Sequence, residues 1–138
     1  PEWCGIESDI MEYFHDGKAT TGNIMGGYGR QFSEEGRVKY DLEETADGWH
    51  YFGMDWSPEG YVFYCDGKEI SRCSEHVSQV PQFILLTTEI QGYRSVKSGK
   101  AKLLGGGEVE NFPFVIKDKF VDDAFVVDFV RVFDRVEK

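Results

Sequence analysis

Short runs in which apolar and polar residues alternate dominate this chain, and the repeat is two rather than 3.6. In residues 48–56, His50, Phe52, Met54 and Trp56 share one face and Tyr51, Gly53 and Asp55 the other; the greasier set is expected to face a core. His50 then reads as a hydrogen-bonded core histidine and Trp56 as core. Residues 61–65 and 68–72 flank Asp66-Gly67, a two-residue hairpin signal that sets Cys65 opposite Lys68 and Cys73 opposite Gly60. Strands are also predicted over 5–14, 19–25 and, inside the polar stretch 31–47, over 37–42. Residues 82–90 form a near-continuous apolar run, as in a strand buried on both faces at a sheet centre. Residues 124–134 read as a closing strand. The triple glycine at 105–107 marks a long loop over 94–111, and helical signals are confined to 74–77 and 117–123. The pattern is that of an all-β chain.

Composition narrows the classes. The chain has 138 residues, 41% of them hydrophobic and 15% aromatic, which suits one domain with a packed core. The net charge of −10 comes without any basic patch interleaved with aromatics, so nucleic acid is not an expected partner and a neutral ligand is favoured over a polyanion. No apolar run approaches the length of a membrane span, so no membrane partner is expected. The three cysteines, Cys4, Cys65 and Cys73, and the three histidines show no metal-ligand spacing, so neither a metal site nor a cofactor is expected.

One stretch carries candidate chemistry. Glu7-Ser8-Asp9-Ile10-Met11-Glu12 holds three carboxylates in six residues of a strand-like run. Alternation puts Glu7 and Asp9 on one face and Glu12 on the other. A single extra residue at Ile10-Met11, a β-bulge, restores parity and aims all three acids the same way. Crowded carboxylates oppose one another's ionisation, a cost that suits a site needing one ionised and one protonated carboxyl group. A solvated polar face on an edge strand is the plainer reading of so short a pattern.

Three stretches, taken together, resemble glycoside hydrolase family 16, the laminarinase and agarase type. They are Trp3-Cys4-Gly5-Ile6-Glu7-Ser8-Asp9-Ile10-Met11-Glu12, then residues 48–67 (Gly48-Trp49-His50 through Tyr64-Cys65-Asp66-Gly67), then residues 125–133 (Phe125-Val126-Val127-Asp128-Phe129-Val130-Arg131-Val132-Phe133). The resemblance implies a jelly-roll, concanavalin-like antiparallel β-sandwich spanning 1–138 as one partial domain. It also implies that the N-terminal strands of the sandwich are missing, because the family's catalytic strand lies near mid-sequence. It implies secretion, and retaining endo-cleavage of a neutral β-glycan. Glu7 would be the nucleophile, Glu12 the general acid and then base, and Asp9 the modulator between them. Trp3 and Tyr28 are candidates to stack on sugar rings; Glu89 would bond a sugar hydroxyl or pair with Arg94. Two departures stand out. Ile24 and Met25 occupy places where relatives tend to carry His or Trp before a Gly-Tyr-Gly turn. Ser8 replaces an expected Ile or Leu and aims a hydroxyl behind the cleft. The rival reading is a non-catalytic glycan-binding module, or an inactive fragment of such an enzyme.

Overall fold

The predicted alternation is realised as antiparallel ladders. The computed structural model describes residues 5–13, 17–25, 33–88, 96–97, 100–102, 108–110, 124–134 and 136, and among them there is no helix. By internal contacts the chain divides into two units, Pro1–Gln82 and Phe83–Lys138.

The first unit holds two sheets of three strands each. One has the order β1-β2-β3, from Ile6–Tyr13, Lys18–Met25 and Ser33–Asp41; the other has the order β4-β5-β6, from Phe52–Ser57, Gly60–Cys65 and Lys68–Cys73. Hairpin connections make every pairing antiparallel. The strand β3 begins earlier than alternation predicted and absorbs half of the stretch read as a solvated loop. Its charged residues are not simply solvated: Arg37 has carboxylate partners on β1.

The core sits where the inner faces meet. Tyr61 and Phe63 are fully buried with Cys73, and Met54 and Val77 pack against them. Met54 pairs with Phe63 and Trp56 with Tyr61, so the expected inward set of β4 does face the core. The Trp56 ring stacks on Tyr61 at 6.1 Å between centroids and donates its indole N–H to Ser78 O at 3.1 Å, but it is 39% exposed, so it borders the core rather than lying in it as expected. Polar bonds join β6 to the other sheet. Asn23 Nδ2 donates to Cys73 Sγ at 3.1 Å, and the Ser71 hydroxyl donates to the Gly36 carbonyl. This is an antiparallel β-sandwich fragment, with Thr21 and Asn23 buried at its centre alongside apolar Ala19.

Irregularities in register shape it. In the Asp66-Gly67 turn both residues have positive φ, 50° and 76°, as a tight hairpin turn of this twist requires. Cys65 faces Lys68 as expected, but Cys73 faces Tyr61 rather than Gly60. The reason is a bulge: Phe63 pairs with Ser71 and Tyr64 with Glu69, so Ile70 is extra.

In the second unit, β7 (Val96–Lys97), β8 (Lys100–Lys102) and β9 (Glu108–Glu110) make a small antiparallel sheet within the stretch read as a loop. Among the described residues the two apolar runs are not strands. Residues 83–88 and 124–134 have no ladder partner among the described residues, and Phe83 is 94% and Phe133 82% exposed. A hydrophobic run states what a strand would bury, but only a neighbouring backbone makes it one.

Candidate functional site

The acid face is built by the bulge in β1. Glu7 pairs with Ile24, Asp9 with Gly22, and Glu12 with Thr20. Ile10 and Met11 together therefore oppose Thr21 alone, which is the extra residue at the predicted place. Positions 20, 22 and 24 of β2 alternate onto one face, and directly paired residues share a face. Glu7, Asp9 and Glu12 thus lie on the same side of the sheet. Glu7 is exposed, Asp9 has 10% of its side chain accessible and Glu12 32%.

A second bulge completes the site. Thr21 pairs with Val38 and Asn23 with Glu35, so Gly36 and Arg37 on β3 oppose Gly22 alone. Gly36 takes φ 61°, where glycine is favoured. The extra residue swings Arg37 onto the acid face. Its guanidinium lies 2.8 Å from Glu12 Oε2, 3.5 Å from Asp9 Oδ2 and 3.3 Å from Glu34 Oε1. Thr20 donates its hydroxyl to the same Glu12 oxygen at 3.1 Å, and Thr21 donates to the Asp9 backbone carbonyl at 2.8 Å. One arginine therefore bridges three carboxylates on two strands.

Behind this face Ser8 is half-buried, and its buried hydroxyl has no hydrogen-bond partner among the described residues. That is the cost expected where a hydroxyl replaces an aliphatic side chain. Trp3, Tyr28 and Glu89, the candidate sugar-binding residues, lie outside the described residues.

A second group of reactive side chains surrounds the hairpin turn. His50 Nδ1 lies 2.8 Å from Asp66 Oδ2, and the Cys65 thiol donates to the same oxygen at 3.5 Å. The Tyr51 backbone N–H donates to Asp66 Oδ1 at 2.8 Å. His50 is hydrogen-bonded and mostly buried, as read from its alternation. Burial pulls the Asp66 carboxyl upward, but the bonds from His50, Tyr51 and Cys65 outweigh it and hold the carboxyl below its ordinary value. Burial, then the Asp66 charge, pushes the Cys65 thiol up to about 11. Burial, then the Cys65 charge, pushes the Tyr40 hydroxyl up to about 12.

Sequence reasoning missed Arg37, Thr20 and Gly22. Arg37 opened the short strand expected over 37–42, but no local signal marks a residue whose partners lie two strands away. It also missed the His50–Cys65–Asp66 grouping. The pairing of 48–56 with 61–65, had it been followed, would have found that grouping, since Phe52 pairs with Cys65.

No family model and no solved structure matches the chain. Among curated proteins, the chain is similar to a xylanase/β-glucanase of Ruminococcus flavefaciens, with 27% identity over 85 residues. The match covers 61% of this chain but spans only 10% of that protein's length. This is a distant likeness of glycoside hydrolase type, and it falls on a chain whose first strand gathers three carboxylates on one face.

Proposed function

We propose that this chain carries the catalytic strand of a secreted, retaining glycoside hydrolase of the family 16 type, acting on a neutral β-glycan. Glu7 attacks the anomeric carbon to give a glycosyl-enzyme. Glu12 protonates the leaving oxygen and then deprotonates the attacking water, and Asp9 shares the charge between them. The observation that carries this reading is the β1 bulge, since without it Glu12 faces away from Glu7 and Asp9. The β2 partners of Glu7 and Glu12 are four residues apart, roughly 13 Å along the strand. The two side chains must therefore lean together over Asp9 to bring their carboxyl groups to the ~5 Å that retention requires.

The exposed apolar runs at 83–88 and 124–133 support placing this chain within a larger sandwich whose further strands cover them. The matched relative is likewise about ten times longer than its matched part.

A second reading, a non-catalytic glycan-binding module, is favoured by Arg37. Arg37 at 2.8 Å and the Thr20 hydroxyl at 3.1 Å both occupy Glu12 Oε2, so a leaving group reaches that oxygen only once Arg37 moves aside.

Reducing-sugar release from a mixed-linkage β-glucan separates the two, with Glu7→Gln as control. The hydrolase reading expects release by the native chain and a loss of at least ~10³-fold in the variant, with binding retained. Binding without release by the native chain selects the module; neither binding nor release sinks both.

A further inference from the structure

We propose that His50, Cys65 and Asp66 form a binding site for a thiophilic divalent cation of the zinc type, independent of the acid face on β1. The donor atoms of the three residues all lie within 4.8 Å of one another. They come from two segments held by a rigid pairing. Phe52 and Cys65 are partners in the β4–β5 ladder, and beyond them Asp66 N donates to Tyr51 O at 2.8 Å while Tyr51 N donates to Asp66 Oδ1 at 2.8 Å. This brings His50 against the turn from the β4 side and fixes Cys65 and Asp66 on the β5 side.

The chemistry of the set is specific. An imidazole nitrogen, a thiol sulfur and a carboxylate oxygen are a borderline-soft combination that suits Zn²⁺ or Co²⁺ and not Ca²⁺ or Mg²⁺. Two donors, His50 and Cys65, converge on the single oxygen Oδ2 of Asp66, at 2.8 Å and 3.5 Å. Tetrahedral zinc with bonds of about 2.0–2.3 Å holds its ligand atoms about 3.3–3.7 Å apart. The sulfur–oxygen separation already fits, and the nitrogen–oxygen separation needs to open by about half an ångström. Cys65 is buried and Asp66 is exposed, so the ion can be reached from the Asp66 side and the fourth position is left to water.

Binding exchanges protons for metal. The Cys65 S–H gives its proton to solvent and binds as thiolate, and the Nδ1 proton that His50 donates to Asp66 is lost to solvent while Nε2 takes one up, which frees the Nδ1 lone pair for the metal. Asp66 keeps the Tyr51 N–H on its other oxygen, so the turn is not rebuilt.

The test is Co²⁺ titration of the full chain, reduced and desalted, followed by absorption. The expected result is a sulfur-to-cobalt charge-transfer band in the near ultraviolet with intense visible bands of four-coordinate cobalt, both abolished by Zn²⁺. Cys65→Val removes the charge-transfer band, and His50→Gln weakens Co²⁺ binding by at least the ~10-fold that losing even an outer partner costs. Cys73→Ser leaves the spectrum unchanged. Absence of the charge-transfer band in the native chain at millimolar Co²⁺ overturns the proposal whether or not the variants fold. So does a band that survives Cys65→Val or disappears in a folded Cys73→Ser protein.

Discussion

Arg37 on β3 holds Glu12 on β1 at 2.8 Å across the strand that separates them. Two inter-strand spacings are about 9.6 Å, close to the reach of an arginine, so the path over β2 must be clear. Gly22 clears it. A Cβ built there would fall 2.6 Å from Arg37 Cα and 2.9 Å from Arg37 N, and Gly22 has φ 146°.

Gly22→Ala should therefore push β3 away from β2 and cost ~2–3 kcal/mol, because both the backbone angle and the space oppose a methyl group. Urea unfolding checks this. A lowered midpoint with an unchanged slope is expected, and a variant as stable as the native chain would show that the two strands do not approach this closely.

Removing the cation itself has a different signature. Arg37→Met leaves Asp9, Glu12 and Glu34 without the guanidinium that joins them. Arg37 is 26% exposed and Glu12 32%, so the loss is discounted from that of a fully buried pair to ~1–2 kcal/mol. Salt distinguishes this from lost packing. Carboxylates that repel are screened, so the variant should regain stability as NaCl rises while the native chain does not. Parallel salt curves for the two proteins would mean that Arg37 acts through its aliphatic stem.

These two bulges also mark how far the sequence could be read. The one at Ile10-Met11 was placed by parity together with the supposition that the three acids share a face, because a regular strand sends Glu12 to the other side. The one at Gly36-Arg37 left no such trace, since nothing in a charged stretch says which arginine has distant partners. Hairpins were legible from Asp66-Gly67, a local signal. The described residues of the two apolar runs, 82–88 and 124–134, form no strand because hydrophobicity shows a wish to be buried, whereas a strand is made by the backbone beside it. Ile70, the extra residue of β6, moved Cys73 by one place for a related reason: register past a turn depends on a bulge that the turn does not announce.

Ser8 offers a gain rather than a loss. Its hydroxyl is buried without a hydrogen-bond partner among the described residues, and desolvating such a group costs ~1–3 kcal/mol. Ser8→Ala removes the polar atom and leaves at most a small void, so it should stabilise the chain by about 1 kcal/mol. Thermal unfolding should show a midpoint raised by a few degrees. A lowered midpoint would mean that the hydroxyl has a partner, such as an ordered water.

Cys73 gives the chain a defined alkaline limit. Burial, then the neighbouring Glu35 charge, raises its thiol from 9.0 to about 11, with the Asn23 amide N–H pulling weakly the other way. The unfolded chain thus releases this proton at lower pH than the folded one. The contribution to stability is intact below about pH 9, falls away as pH rises to about 11, and is constant beyond; a shift of this size corresponds to ~2–3 kcal/mol. Cys65 and Tyr40 titrate in an overlapping range, so the quantity to measure is the difference between the native chain and Cys73→Ala across pH 8–11.5. That difference should shrink through the window, because only the native chain loses the Cys73 contribution there. At pH 8 the folded thiol should also react with iodoacetamide about 100-fold more slowly than in urea from its raised pKa alone, with burial slowing it further. Equal rates in the two states, or a stability difference independent of pH, would mean that Cys73 is neither buried nor beside Glu35.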